Sequence, residues 1–243
     1  MKRVGTIRIL ISLLALAGTA NAFVLSNVDG TWTGWVGGAN VNTPSGVANP
    51  GYGNQLQDQI RWGTLTNPGT VGKQSGLGFT GAAGGGATVN FGLAEAFQIG
   101  ELEHFNWPID IGTNVTDADL RLDMAFTDPA GLNRNFSVTI HVLETPNGDT
   151  PGGVPDTISF PGSLPSFPFS SGSWDYTLDI LGFGPTPGSI VNQFISGENA
   201  SNTTLLWGRI TGTERPVIPA PAAILLASLG TGVVGLLRRR RVL

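Results

Sequence analysis

The period-two alternation across residues 117–143 restricts the fold of this chain more than any other feature. Leu120, Leu122, Met124 and Phe126 fall on one side of an extended segment, and Asp117, Asp119, Arg121 and Asp123 on the other. Phe136, Val138, Ile140 and Val142 then alternate with Ser137, Thr139, His141 and Leu143. Successive side chains of a strand point to opposite faces, so this pattern buries one face and leaves the other in water. The segment between them, Thr127-Asp128-Pro129-Ala130-Gly131-Leu132-Asn133, is rich in turn formers. The simplest account is an antiparallel hairpin.

The same reading gives strands at Asp29–Val36, Asp58–Trp62, Thr88–Leu93, Phe97–Phe105, Trp174–Leu181 and Thr203–Ile210. Each is short and bounded by Gly, Pro, Asn or Ser, and no segment between the two chain ends has helical periodicity. Gly (36) and Pro (16) make up about a fifth of the chain, as many turns between strands require. The expected fold is all-β, an antiparallel and jelly-roll-like β-sandwich, with a closed barrel as the other candidate. Prolines at 146, 151, 155, 161, 165 and 168 mark a long surface loop over Pro146–Pro168, interrupted by a short strand at Thr157–Phe160.

The two ends differ from this body. Lys2, Arg3 and Arg8 precede an apolar run from Ile9 to Gly18 and the small-residue site Ala20-Asn21-Ala22. A positive start, a short apolar core and an A-x-A site describe a secretory signal peptide over residues 1–22. At the other end, residues 216–243 hold Pro219-Ala220-Pro221, an uncharged stretch from Ala222 to Leu237, and Arg238, Arg239, Arg240 and Arg241. As a helix that stretch is about 24 Å long, marginal for a membrane span. The arginines would stay on the cytoplasmic side, placing residues 23–215 outside.

This Pro-x-Pro, apolar span and Arg cluster resembles a PEP-CTERM sorting signal. The resemblance implies a tail recognised by the membrane enzyme exosortase, with transient insertion of the C-terminal transmembrane helix and delivery to the cell surface or extracellular matrix. The central Glu of the family pattern is replaced by Ala220. The partners so implied are the export translocon, signal peptidase and an exosortase-type enzyme.

Charge narrows the function. Residues 23–215 carry six Lys and Arg against seventeen Asp and Glu, a net charge of −11. Phosphate binding needs a basic patch, so nucleic acid is not an expected partner. With no cysteine, disulfides, thiolate zinc sites and a cysteine nucleophile are all excluded.

The most distinctive stretch of the body is Gly100 to Ile109, with His104-Phe105-Asn106 and Pro108. Together with Arg61-Trp62-Gly63, Ser75 to Phe79, Glu144-Thr145-Pro146-Asn147, Trp174 to Leu178 and Gly182-Phe183-Gly184, it is similar to the THxN group of PEP-CTERM proteins. Glu103 stands where that group has Thr. The resemblance implies a location and a fold but no reaction.

His104 and His141 are the only histidines. No Gly-x-Ser-x-Gly elbow accompanies them, so His104 with Asn106 and Pro108 reads as a hydrogen-bonded strand end or turn. A zinc site is disfavoured for want of closely spaced ligands. The pairs Glu101/Glu103 and Asp117/Asp119 each lie on one strand face, which suits two-carboxylate glycoside hydrolysis or a solvated face equally. Asn147-Gly148-Asp149 with Asp156 offers oxygens to Ca²⁺ in a flexible loop, the only cofactor in prospect. Among the six tryptophans, Trp107 beside Pro108 is the candidate glycan contact. The expected function is that of an exported, non-enzymatic surface or matrix protein. The alternatives are a carbohydrate-binding or adhesive module acting on exopolysaccharide, and then a hydrolase using His104 or a carboxylate pair.

Overall fold

A computed structural model describes residues 22–49, 55–65, 73–145, 153–216 and 228–231. These residues build two antiparallel sheets packed over one continuous apolar core, as a β-sandwich. The strands are β1 (Ala22–Gly37), β2 (Val47–Asn49), β3 (Gln55–Trp62), β4 (Ser75–Gly81), β5 (Val89–Gly92), β6 (Ala96–Asn106) and β7 (Val115–Asp128). They continue with β8 (Asn133–Leu143), β9 (Asp156–Ser159), β10 (Ser166–Ser171), β11 (Trp174–Phe183), β12 (Gln193–Ser196) and β13 (Ala200–Glu214). One sheet has the order β12-β9-β8-β7-β1-β5, the other β10-β11-β13-β6-β4-β3-β2.

The alternating hairpin forms as its pattern dictates. β7 pairs with β8 from Asp117↔His141 to Ala125↔Asn133, and Leu120, Leu122, Val138 and Ile140 are fully buried beneath it. Thus the apolar face of each strand meets the core, while the Asp117 and Asp119 face looks outward. Asp117 Oδ1 lies 3.0 Å from His141 Nδ1, and Thr139 Oγ1 donates to Asp119 Oδ1 at 2.7 Å. Each carboxylate is therefore tied to a cross-strand neighbour on the outer face.

Two elements depart from the sequence expectations. β4, Ser-Gly-Leu-Gly-Phe-Thr-Gly, is a buried central strand despite its three glycines. The bare backbone is needed because a Cβ on Gly81 would sit 1.9 Å from the Val28 carbonyl oxygen. β10 falls at the end of the expected Pro146–Pro168 loop, pairing Ser166–Ser171 with β11 and seating Pro168 opposite Thr177. β10 is an edge strand, where the missing proline N–H costs no ladder bond. The short strand expected at Thr157–Phe160 is β9.

Core closure differs at the two ends of the sandwich. At one, Phe23, Phe91, Phe97, Phe126 and Tyr176 interlock, with Phe91 and Phe97 stacked at 3.9 Å between centroids and Tyr176 edge-on to Phe23. At the other, β6 finishes in His104 and Asn106, both fully buried. Seven residues separate Phe97 from His104, roughly 23 Å along a strand. Among the described residues no helix is long and apolar enough to cross a membrane. Residues 1–21 of the expected signal peptide, the sorting residues Pro219, Ala220, Pro221 and Arg238 to Arg241, and Asp149 lie outside the described residues, while Ala22, its expected last residue, opens β1 opposite Gly92.

Candidate functional site

Strand alternation determines which residues of β6 enter the sandwich. Leu102, His104 and Asn106 face inward, while Glu101, Glu103 and Phe105 face out. The inward pair meets Glu144, which follows β8, Asp156, which opens β9, and Ser196, which closes β12. Glu198 comes from the β12–β13 turn. Its side chain is accommodated by Gly153, where a Cβ would lie 2.2 Å from Glu198 Cγ and where φ is +68°. Both sheets therefore contribute to one polar cluster at the end of the core.

Four of the side chains in this cluster, His104, Asn106, Glu144 and Asp156, are tethered through one heteroatom. His104 Nδ1 lies 2.7 Å from Ser196 Oγ, and Asn106 Nδ2 donates to the Ser196 carbonyl at 3.1 Å. Asp156 Oδ1 accepts from the Thr145 backbone N–H at 2.7 Å and from its hydroxyl at 3.0 Å. Ser75 Oγ lies 3.2 Å from Glu144 Oε1 and 2.9 Å from the Trp107 carbonyl. Asn202 Nδ2 secures the turn that carries Glu198, donating to the Gly197 carbonyl at 2.7 Å and to Ser196 Oγ at 3.0 Å.

The second heteroatom of each is left over. His104 Nε2, Asn106 Oδ1, Glu144 Oε2, Asp156 Oδ2 and both Glu198 carboxyl oxygens are buried without a hydrogen-bond partner among the described residues. One ligand atom from each of His104, Glu144 and Asp156 lies within 4.8 Å of the others.

Burial dominates the electrostatics. It holds the His104 imidazole neutral, its pKa lowered to about 3, with the Arg61 charge adding to the effect. Burial and the Asp156 carboxylate push Glu144 up to about 8 and Glu198 up to about 7, and Asp156 itself is raised by burial. Removing charge from water disfavours the ionised form, and three carboxyl groups in one place disfavour it further.

The outer face of β6 is arranged differently. Asn49 Nδ2 donates to Thr80 Oγ1 at 3.1 Å and to Glu101 Oε1 at 3.2 Å, and Gln57 Nε2 donates to Glu103 Oε2 at 2.9 Å. Gln59 Nε2 donates to Gln57 Oε1 at 2.6 Å, and Arg61 Nε to Gln59 Oε1 at 2.9 Å. The Arg61 guanidinium lies 3.3 Å over the Phe105 ring. These side chains cross β4 above Gly76 and Gly78, and they line an open cavity of about 310 Å³. Burial raises the Glu101 pKa and lowers that of Arg61 to about 10.

His104 is indeed hydrogen-bonded at the end of a strand, but Asp156 is not the surface-loop ligand expected of it: it is fully buried, at the start of β9. The sequence reading had separated His104 and Asn106 from Asp156, and the fold brings them together with Glu144. Glu198 and Ser196 were not singled out, since Ser196 and His104 are 92 residues apart in the chain and no motif links them. Phe105 faces the outer cavity, while Pro108 lies beyond β6. Trp107 is half-buried, with Lys73 Nζ 4.1 Å over its ring, so that face is already occupied. No protein-family model and no curated protein matches this chain.

Proposed function

We propose that this is an exported, non-enzymatic protein of the cell surface or extracellular matrix. In this reading an N-terminal signal is removed by signal peptidase, a jelly-roll-like sandwich is exported, and an exosortase-type enzyme processes a transiently inserted C-terminal tail. One observation carries the non-enzymatic part: His104 is 0% exposed and closed in by Ser196, Glu144 and Asp156, away from any incoming substrate. The other histidine, His141, is held against Asp117. His104 does face a serine hydroxyl, Ser196 Oγ at 2.7 Å, but both are 0% exposed, so that hydroxyl is shut away from a substrate, and His141 faces Asp117 rather than a serine.

Intact-mass analysis of the protein from cells with and without exosortase tests the sorting part. The mature chain should begin at Phe23 and lose its Arg238–Arg241 end only when exosortase is present. Retention of the full C-terminus in both strains rejects the tail as a sorting handle.

A second reading, a module that binds exopolysaccharide, is supported by the outer face of the seven-stranded sheet. Its open cavity presents Asn49, Gln57, Gln59, Glu101, Glu103 and Thr203, planar amides and carboxylates suited to sugar hydroxyls. Binding on a glycan array that Gln57→Ala and Glu103→Ala both weaken supports this reading. An array with no bound polysaccharide removes it.

A further inference from the structure

We propose that His104, Glu144 and Asp156, with Asn106 and Glu198 beside them, form a buried site for one divalent transition ion of the Zn²⁺ or Mn²⁺ class. The site is separate from the outer cavity and independent of whether the protein binds glycan.

The argument starts from a recurring geometry. Four side chains of the cluster spend one heteroatom on the protein and leave the other buried without a partner among the described residues: His104 Nδ1 against Nε2, Asn106 Nδ2 against Oδ1, Glu144 Oε1 against Oε2, and Asp156 Oδ1 against Oδ2. Three of these residues, His104, Asn106 and Asp156, are fully buried. An unsatisfied buried polar atom is costly, and more so when it is charged. Several such atoms at one point are therefore a large burden unless something binds them.

Protons answer only part of the burden. One shared between two of these carboxyl groups joins that pair and leaves the remaining inward lone pairs without a partner among the described residues. His104 Nε2 makes no hydrogen bond to a carboxylate, as it would in an acid–base pair. A cation among His104, Glu144 and Asp156 meets an inward-facing lone pair of each at once. In the proposed site His104 is the tautomer in which Nδ1–H donates to Ser196 Oγ, 2.7 Å away, which leaves the Nε2 lone pair for the ion. The Thr145, Ser75 and Ser196 contacts then fix ligand orientation, as the outer partners of a metal centre do.

The donor set selects the ion. Ca²⁺ prefers six to eight oxygens in a flexible shell, whereas imidazole nitrogen combined with carboxylate oxygen suits the smaller transition ions. The ligands here come from strand ends of both sheets, so the ion would tie β6 to the end of β8 and the start of β9.

Metal analysis and calorimetry on the full-length protein, freed of metal with EDTA and then given ZnCl₂, MnCl₂ or CaCl₂, test the proposal. The expected result is about one equivalent of Zn²⁺ or Mn²⁺ held through gel filtration, at least 100-fold tighter than Ca²⁺. His104→Gln should weaken the affinity by about 100-fold, and Ser196→Ala, which releases the ring, by about 10-fold. Should His104→Gln fail to fold, Glu144→Gln gives the same test, with at least a 10-fold loss. Metal far below one equivalent overturns the proposal, as does Ca²⁺ binding as tightly as Zn²⁺ or an unchanged affinity in Glu144→Gln.

Discussion

The sandwich closes its core by opposite means at its two ends. At the aromatic end Phe23, Phe91, Phe97, Phe126 and Tyr176 fill the space between the sheets with rings, at centroid separations from 3.9 to 6.5 Å. Such a plug needs nothing beyond the chain, because burying apolar surface is favourable in itself. At the polar end the same two sheets enclose an imidazole, an amide and three carboxyl groups, and their inward heteroatoms go unmatched. The aromatic end is closed by the chain alone, whereas the polar end buries heteroatoms that only a ligand or bound protons would match.

Phe23→Ala should have the largest effect, a loss of about 4 kcal/mol from a fully buried ring, seen as a lowered midpoint in urea unfolding. The loss should be equal with and without added metal, since Phe23 touches nothing at the polar end. A loss that shrinks in EDTA would mean that the two ends are coupled.

Removing the ion should come next. A ligand present at about 1,000 times its dissociation constant stabilises by roughly 4 kcal/mol. EDTA should therefore lower Tm by about 10 °C, at roughly 2–4 °C per kcal/mol for a domain of this size. Differential scanning calorimetry reads the shift, and in Glu144→Gln it should be much reduced.

The pH dependence of the metal-free protein should be smaller and opposite in sign to ordinary acid unfolding. Glu144 and Glu198 are raised from 4.5 to about 8 and about 7, so the folded state binds more protons than the unfolded one across that range. Their contribution is fully present below about pH 4.5 and is lost as pH rises towards 8. Urea unfolding of the metal-free protein at pH 5 and pH 8 should show lower stability at pH 8, and Glu144→Gln should flatten the trend.

The smallest effect belongs to the outer face. A Cβ on Gly78 would lie 2.5 Å from Gln57 Cδ, so Gly78→Ala should push Gln57 off Glu103 at a cost of about 1 kcal/mol. Metal affinity should be unchanged, because Glu103 faces away from the cluster. A parallel loss of metal binding would join the two faces of β6 in one site.

The contrast between the ends was only partly legible in the chain. Alternation around Leu120 and Val138 specified a two-layer β fold, because period-two burial depends on local order alone. β4 was hidden by its glycines, whose purpose is to let Val28 and Gln57 approach, a relation between distant strands. β10 was hidden by Pro168, which only an edge position makes tolerable. At the polar end, His104 and Asn106 stood out in one short motif, and Glu144 and Asp156 in two others. Their convergence with Glu198 depends on the pairing of β8 with β9 and of β6 with β13. Those registers arise from the whole core, so no spacing within the sequence announces the cluster.

Anomalous diffraction from crystals grown with Zn²⁺ or Mn²⁺, recorded on both sides of the metal edge, puts the account of the polar end to the test. A single strong peak should lie about 2.1 Å from His104 Nε2, with oxygens of Glu144 and Asp156 bound to it. Crystals with no peak there, and with Glu144 and Asp156 hydrogen-bonded through a shared proton, would contradict it.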